Sequence, residues 1–236
     1  MDQDITPFPS AARGALVPRL LPAHPRAAVL LLHGGCETSL RPSRPWHHAA
    51  LRMAPFHRAI AAARPHGDVL LAQVRYRVRG WNGTQADPVA DTYEALRRLS
   101  ALAGPVPTVL VGHSMGARAA LRAAGHPQVY AVLGLAPWWP TGEPVQQMTG
   151  RHIVALHGER DRVTSPGDSA DYVSRAQGTA ARAAMAVIRH GDHAMLRRHG
   201  FWHRIAADVV AHLLDPESRQ DPLPAQCYAT GGFPLL

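Results

Sequence analysis

The sequence predicts an α/β fold: a mostly parallel central sheet flanked by helices on both faces, with no sizeable cap domain. Three observations point there. Short apolar runs of strand length alternate with longer segments of helical pattern. A Gly-x-Ser-x-Gly pentapeptide, Gly112-His113-Ser114-Met115-Gly116, lies between one apolar run and an Ala-rich segment. The other side chains with catalytic chemistry fall just after predicted strands, where open parallel sheets build their sites. A length of 236 residues suits one domain with one sizeable core. The chain is read as a single domain over 1–236, with an extended arm at 1–26 and a tail at 215–236.

The elements follow in order. Residues 1–26 are Pro-rich and predict an arm or one edge strand. Ala27 to Leu32 is a continuous apolar run, the pattern of a strand buried on both faces, and it ends at His33-Gly34-Gly35. Residues 36–52, with Pro42 and Pro45, predict a long loop. A helix follows, with Pro55 in its first turn and Gly67 just past its end. Val69 to Val74 predicts the next strand, and Arg75-Tyr76-Arg77-Val78-Arg79 continues it in period two. Asp87-Pro88 predicts a helix start, with Asp87 as N-cap, running to about Leu102. Then come the strand Thr108 to Gly112, a helix to Gly125 and a strand from Val129 to Ala136. Residues 137–151 read as loop, Ile153 to Leu156 as strand, and about Asp168 to Gln177 as helix. Ala184 to Ile188 and Ile205 to Leu214 are the last strand and helix. The tail from Asp215 predicts extended or mobile chain.

Composition excludes several classes. No apolar run approaches the length of a membrane span. The start, Met1-Asp2-Gln3-Asp4-Ile5, carries acids where a secretory signal carries bases, which predicts a cytoplasmic protein. Two cysteines, Cys36 and Cys227, predict free thiols, not a disulfide framework. The formal charge is +8, yet all 25 basic residues are Arg and they are spread along the chain. No basic block interleaved with aromatics marks a nucleic-acid surface. The 15 histidines include His47-His48 and the i, i+4 pair His199 and His203, but no zinc-protease helix motif accompanies them.

A serine on a sharp strand-to-helix turn presents its hydroxyl above the sheet. Its neighbours two before and two after must be small, or their Cβ atoms collide with adjoining chain. The helix that follows aims free N–H groups and its positive end at the same spot. A serine hydroxyl is a weak nucleophile and needs a base, and the base needs a group to fix its tautomer. After the next-to-last predicted strand comes His157-Gly158-Glu159-Arg160-Asp161. After the last comes Gly191-Asp192-His193. The order Ser114, Asp161, His193 is the one expected for nucleophile, acid and base on an elbow serine. Glu159 and Glu143 are rival acids, and His190 and His199 rival bases. Asp192 is expected to cap its own turn. The backbone N–H of Met115, with that of Gly35 or Cys36, is expected to hold the oxyanion.

The chain resembles the α/β-hydrolase superfamily from about Ala27 to Leu214. The matching features are His33-Gly34-Gly35, Arg79-Gly80-Trp81-Asn82-Gly83, Gly112-His113-Ser114-Met115-Gly116, His157-Gly158-Glu159-Arg160-Asp161 and Gly191-Asp192-His193. Trp81 and Asn82 alter the middle of the second segment, and the family's usual first hairpin is hard to find in residues 1–26. The resemblance implies a serine hydrolase that needs no cofactor. Family members with a lid insert it between the sixth and seventh strands, and the short segment here implies a lidless site. Its walls are expected from Trp81, Trp138, Trp139, Met115, Met195, Cys36 and the rest of loop 36–52. Arg75, Arg77 and Arg79 form a row able to hold a carboxylate or to pair with acids. The expected activity is hydrolysis of small carboxylic esters through an acyl-enzyme, with neither nucleic acid nor membrane as partner. A thioesterase or acyltransferase, and a non-catalytic binding protein on the same fold, stay open.

Overall fold

The computed structural model describes residues 15–63, 67–217, 219–229 and 233–236. Seven strands form one sheet in the order β1-β3-β2-β4-β5-β6-β7. They are β1 (Leu16–Leu20), β2 (Ala27–Leu32), β3 (Val69–Val74), β4 (Thr108–His113), β5 (Val129–Leu135), β6 (His152–Gly158) and β7 (Arg182–Ile188). Strands β2 to β7 run parallel, and β1 pairs antiparallel with β3 at one edge. The continuous apolar runs are explained by burial on both faces. Ala28, Leu30 and Leu32 face one core, whereas Val29 and Leu31 face the other.

The first core is closed by α3 (Asp87–Ala103), α4 (Met115–Ala123) and α5 (Pro166–Ala176). The second is closed by α2 (Ala54–Ala63) and α6 (His199–Leu214). From β2 the chain moves outward to β3, then returns to place β4 on the opposite side of β2. The crevice beyond the carboxyl ends of β2 and β4 is therefore the switch point of the sheet. The segment between β5 and β6, residues 136–151, holds only a 3₁₀ turn at Gln146–Met148, so no cap covers this crevice from there.

Several sequence expectations are corrected. Loop 36–52 contains a short helix, α1 (His48–Leu51), and is tied to the segment after β3 by the bridges Cys36–Gly80 and Pro42–Val78. Strand β3 stops at Val74 because its continuation turns to pair with that loop. Asp87 is not the N-cap of α3. Ala86 occupies that position with a left-handed backbone, and the Asp87 carboxylate accepts from Asn82 Nδ2 at 2.8 Å and Arg77 Nη2 at 3.3 Å. Helix α5 starts at Pro166, where the Ser165 hydroxyl accepts from the Asp168 N–H at 3.1 Å. Helix α6 begins at His199, earlier than periodicity shows, because Trp202 buries its whole ring in the second core.

The tail is not loose where it is described. Cys227 is buried in a 3₁₀ turn, Ala225–Tyr228, against the second core. Beyond it, the Val187 N–H donates to the Pro234 carbonyl, and the Leu236 N–H returns to the Val187 carbonyl. Of the arm, residues 1–14 lie outside the described residues, and the rest supplies the edge strand β1.

Candidate active site

Strand β4 ends and α4 begins at Ser114, with φ 54° and ψ −120°. A residue with a Cβ adopts that backbone only under strain, and the surroundings hold it. A Cβ on Gly116 would stand 2.6 Å from the His33 carbonyl oxygen, and one on Gly112 would stand 2.5 Å from the Ala117 nitrogen. The small flanking residues thus let the turn close against β2 and α4. The hydroxyl emerges over the crevice between β2 and β4.

The structure brings Ser114, His193 and Asp161 together from three strand ends. The Ser114 Oγ lies 3.1 Å from His193 Nε2. The other ring nitrogen, Nδ1, lies 2.8 Å from Asp161 Oδ2. With Nδ1–H donating to the carboxylate, Nε2 is left to accept the serine proton. The rivals are engaged elsewhere. Glu143 is buried between Arg118, at 2.6 Å, and Arg122. Glu159 accepts from the His190 N–H at 2.7 Å, so this acid and this histidine face each other. The His199 ring packs beside His203, whose edge meets Phe56.

Asp161 is held from every side, and its side chain is fully buried. Oδ1 accepts from the N–H groups of Val163 at 2.8 Å and Thr164 at 3.0 Å. Oδ2 accepts from the Thr164 hydroxyl at 3.0 Å and faces His157 Nε2 at 3.2 Å. Burial opposes ionisation, but the donors from His157, His193, Thr164 and Val163 outweigh it and hold the carboxyl far below the usual range. His157 is itself fully buried, and its Nδ1 meets the Ser169 hydroxyl at 2.9 Å.

His157 and Thr164 are functional candidates that sequence reasoning missed. His157 was visible only as part of a strand-end motif. Nothing in a single sequence shows that its ring turns back onto the acid four residues later.

The loop carrying His193 is anchored separately. The His113 Nε2–H donates to the His193 carbonyl at 3.0 Å, and Arg52 donates to the Ala194 carbonyl. Burial, with His193 nearby, lowers His113 to about 3, so its ring is neutral. Asp192 caps the turn as expected, its Oδ1 accepting from the Leu196 and Arg197 N–H groups at 3.0 Å each.

Of the expected oxyanion donors, the Cys36 N–H already serves the Arg79 carbonyl at 3.0 Å. Among the described residues, the N–H groups of Gly35 and Met115 have no acceptor. Gly35 packs so closely on the Arg79 carbonyl and the Met115 thioether that a Cβ there would overlap both.

The aromatic walls divide. Trp138 is half-buried, and its backbone N–H donates to the Ser114 carbonyl at 3.2 Å. Its ring meets Trp81 edge-on, and the Arg118 guanidinium lies 4.1 Å from the Trp81 ring centre and 4.6 Å from that of Trp138. Trp81 is only 4% exposed, so Trp138 carries the accessible surface of this stack. Trp139 is a correction: it is 1% exposed and packs on Tyr172 and Gly134. A ring in the core cannot wall an open cleft. Met195 is likewise buried.

The profile of the alpha/beta hydrolase family matches residues 29–233. No curated protein matches the sequence. Among solved structures, the chain is similar to ATU1826, a protein of unknown function from Agrobacterium tumefaciens. That likeness has a TM-score of 0.64 and 12% identity, covering 88% of this chain and 94% of that one. XC6422 from Xanthomonas campestris, described as a serine hydrolase without lid, gives 0.57 and 15%, covering 84% and 87%. Est1E from Butyrivibrio proteoclasticus, solved with ferulic acid bound, gives 0.60 and 11%, covering 84% and 94%. No described helix is long and apolar enough to cross a membrane.

Proposed function

The chain belongs to the alpha/beta hydrolase family, and from that premise we propose that it cleaves carboxylic esters through a serine acyl-enzyme. One observation carries the proposal. The Ser114 hydroxyl lies 3.1 Å from His193 Nε2 while Nδ1 of the same ring lies 2.8 Å from Asp161. That is the spacing a proton relay requires.

Ser114 Oγ attacks the ester carbon, and its proton passes to His193 Nε2. The carbonyl oxygen becomes an anion, and the N–H groups of Gly35 and Met115 supply it with donors. The carbon–oxygen bond to the alcohol breaks, and His193 returns its proton to the departing alkoxide. Water then attacks the acyl carbon, with His193 taking its proton. The acid leaves, and Ser114 regains its hydrogen. Asp161 stays ionised throughout and stabilises the imidazolium, a task for which its donors suit it. Trp138 and the loop after β2 flank the reacting centre.

The test is Ser114→Ala against p-nitrophenyl butyrate, together with labelling by a fluorophosphonate. The parent protein is expected to be labelled at residue 114 and to turn over the ester. The variant is expected to lose labelling and about 10⁴-fold or more of the turnover. Turnover in the variant close to that of the parent refutes the mechanism. Absence of labelling in the parent refutes an active nucleophile, the outcome a binding protein on this fold would give.

A further inference from the structure

Against the loop after β2, which carries the proposed oxyanion donor, lies a cleft of 350 Å³ whose walls include Gly35, Cys36, Trp46, His47, His48 and Arg79. A second cavity of 150 Å³ shares its His33 and Ser43 walls and adds Arg19, Arg44 and Arg75. Among the described residues, no Asp or Glu lines either one. Elsewhere among the described residues, seven arginines of this chain face acids. Arg77 binds Asp91 and Asp87, Arg118 and Arg122 bind Glu143, and Arg97 and Arg98 bind Glu94. Arg175 binds Asp171, and Arg182 binds Asp221. Among the described residues Arg79, Arg44 and Arg75 form no ion pair, but Arg44 and Arg75 also line a cavity that holds Asp91 and Glu94, whereas the cleft of Arg79 holds no carboxylate. The row Arg75, Arg77, Arg79 is therefore split by its surroundings: Arg77 is paired, Arg75 shares a cavity with two carboxylates, and Arg79 lines a cleft with none among the described residues.

Arg79 is also fixed at its root. Its carbonyl accepts from the Cys36 N–H at 3.0 Å, and its N–H donates to the Arg41 carbonyl at 3.0 Å. Its backbone packs directly on Gly35, so its side chain starts one chain thickness from the proposed oxyanion donor. A guanidinium is always charged and presents a planar fork that fits a carboxylate through two parallel hydrogen bonds.

Resting on the ester-hydrolase reading, we propose that this cleft selects esters that carry a free carboxylate, with Arg79 as the residue that binds it. The natural substrate class is then a half-ester of a dicarboxylic acid or a comparably acidic ester. Neutral esters of equal length react by the same chemistry but bind less well.

The test compares methyl hydrogen adipate with methyl hexanoate, the neutral ester of matching chain, in a pH-stat at low salt. The parent protein is expected to show a kcat/KM about tenfold higher for the half-ester, expressed through KM, and 0.5 M salt should compress the ratio. In Arg79→Ala the ratio is expected to fall to near unity. Arg97→Ala removes the same charge from an exposed position on α3 that lines neither cavity and is expected to keep the parent ratio. A parent ratio at or below one, or a ratio untouched by Arg79→Ala, overturns the proposal. If neither ester is cleaved, protection against fluorophosphonate labelling by adipate replaces the rate. The half-protecting concentration should rise about tenfold in Arg79→Ala, and equal protection in the two proteins, or none, overturns the proposal. Loss of labelling in the parent defeats the ester-hydrolase reading itself, whereas labelling with an unresponsive ratio defeats only the carboxylate assignment.

Discussion

Replacing Gly35 by alanine tests the oxyanion loop with a single methyl group. The added carbon would stand 2.5 Å from the Met115 sulfur and closer still to the Arg79 carbonyl oxygen. Comfortable contact needs about 3.5 Å, so one side must give by about 1 Å. Met115 is flexible and can swing. The Arg79 carbonyl cannot, because the backbone on either side of it is held by the Arg79 N–H to Arg41 and the Gly80 N–H to Ser39. The loop after β2 is then the part that retreats, taking the Gly35 N–H with it. A shift of about 1 Å at a catalytic donor costs about 10² in rate, and complete loss of a donor about 10²–10³. Overpacking of this kind costs about 1–3 kcal/mol of stability. For a chain of this size that lowers the melting temperature by about 2–12 °C. The assay is p-nitrophenyl butyrate turnover at a temperature where melting curves show both proteins folded. Gly35→Ala with Met115→Ala removes the sulfur contact but not the carbonyl one, and should stay as impaired as the single variant. A folded Gly35→Ala protein within about threefold of the parent rate refutes the assignment of Gly35 as a donor.

Three further outcomes are expected. His157→Phe keeps the ring volume but removes a donor from Asp161 and one of the two partners of the Ser169 hydroxyl, so kcat/KM should fall about tenfold, with His157→Gln recovering part of it; equal rates in all three folded proteins would show that His157 does not support the acid. Burial, with Arg19 nearby, lowers His57 to about 4, and His113 lies at about 3, so both stay neutral in the fold at pH 5. The unfolded chain protonates them below about 6.5 and so binds more protons in that window. Stability is intact above it and falls as pH drops, by about 1–2 kcal/mol per histidine between pH 7 and 5. His57→Leu should shrink the loss of melting temperature, and a melting temperature that does not change from pH 7 to 5 contradicts the account. Finally, Cys36 is exposed, whereas Cys227 is buried with its thiol pushed up to about 11. A disulfide reagent should titrate Cys36 in the native protein and Cys227 only after unfolding, and the Cys36 adduct should block ester turnover. Equal reactivity of the two thiols, or full activity after modification, would be the contrary result.

The sheet was legible because strands buried on both faces leave unbroken apolar runs, as Ala27 to Leu32 and Thr108 to Val111 do. Ser114, Asp161 and His193 were legible because each sits in a short polar motif directly after such a run, and the fold brings strand ends together. What stayed hidden depends on side chains meeting across the fold. The Trp138-Trp139 pair reads the same at both positions, yet one ring stacks half-buried with Trp81 and Arg118 and the other lies in the core. The hold of His157 on Asp161, and that of His113 on the His193 carbonyl, leave no periodicity behind. The tail was misjudged because prolines read as loose chain, whereas Pro222 to Tyr228 packs beneath the sheet. Helix α6 was read too short because its first turn carries histidine and glycine in place of an apolar stripe.

The hydrogen bonds that residues 234–236 make along β7 have a consequence for self-association. A bare strand rim is a template on which another chain can add its own strand. Here the segment Pro234 to Leu236 occupies part of that rim like a zip already fastened. At the far side, β1 carries Pro18, which has no N–H to offer, and a slip in register between Pro18 and Leu20. Among the described residues, neither flank presents a long regular ladder to a neighbour. Two copies of this protein that meet would do so through helices or loops, leaving each sheet its own.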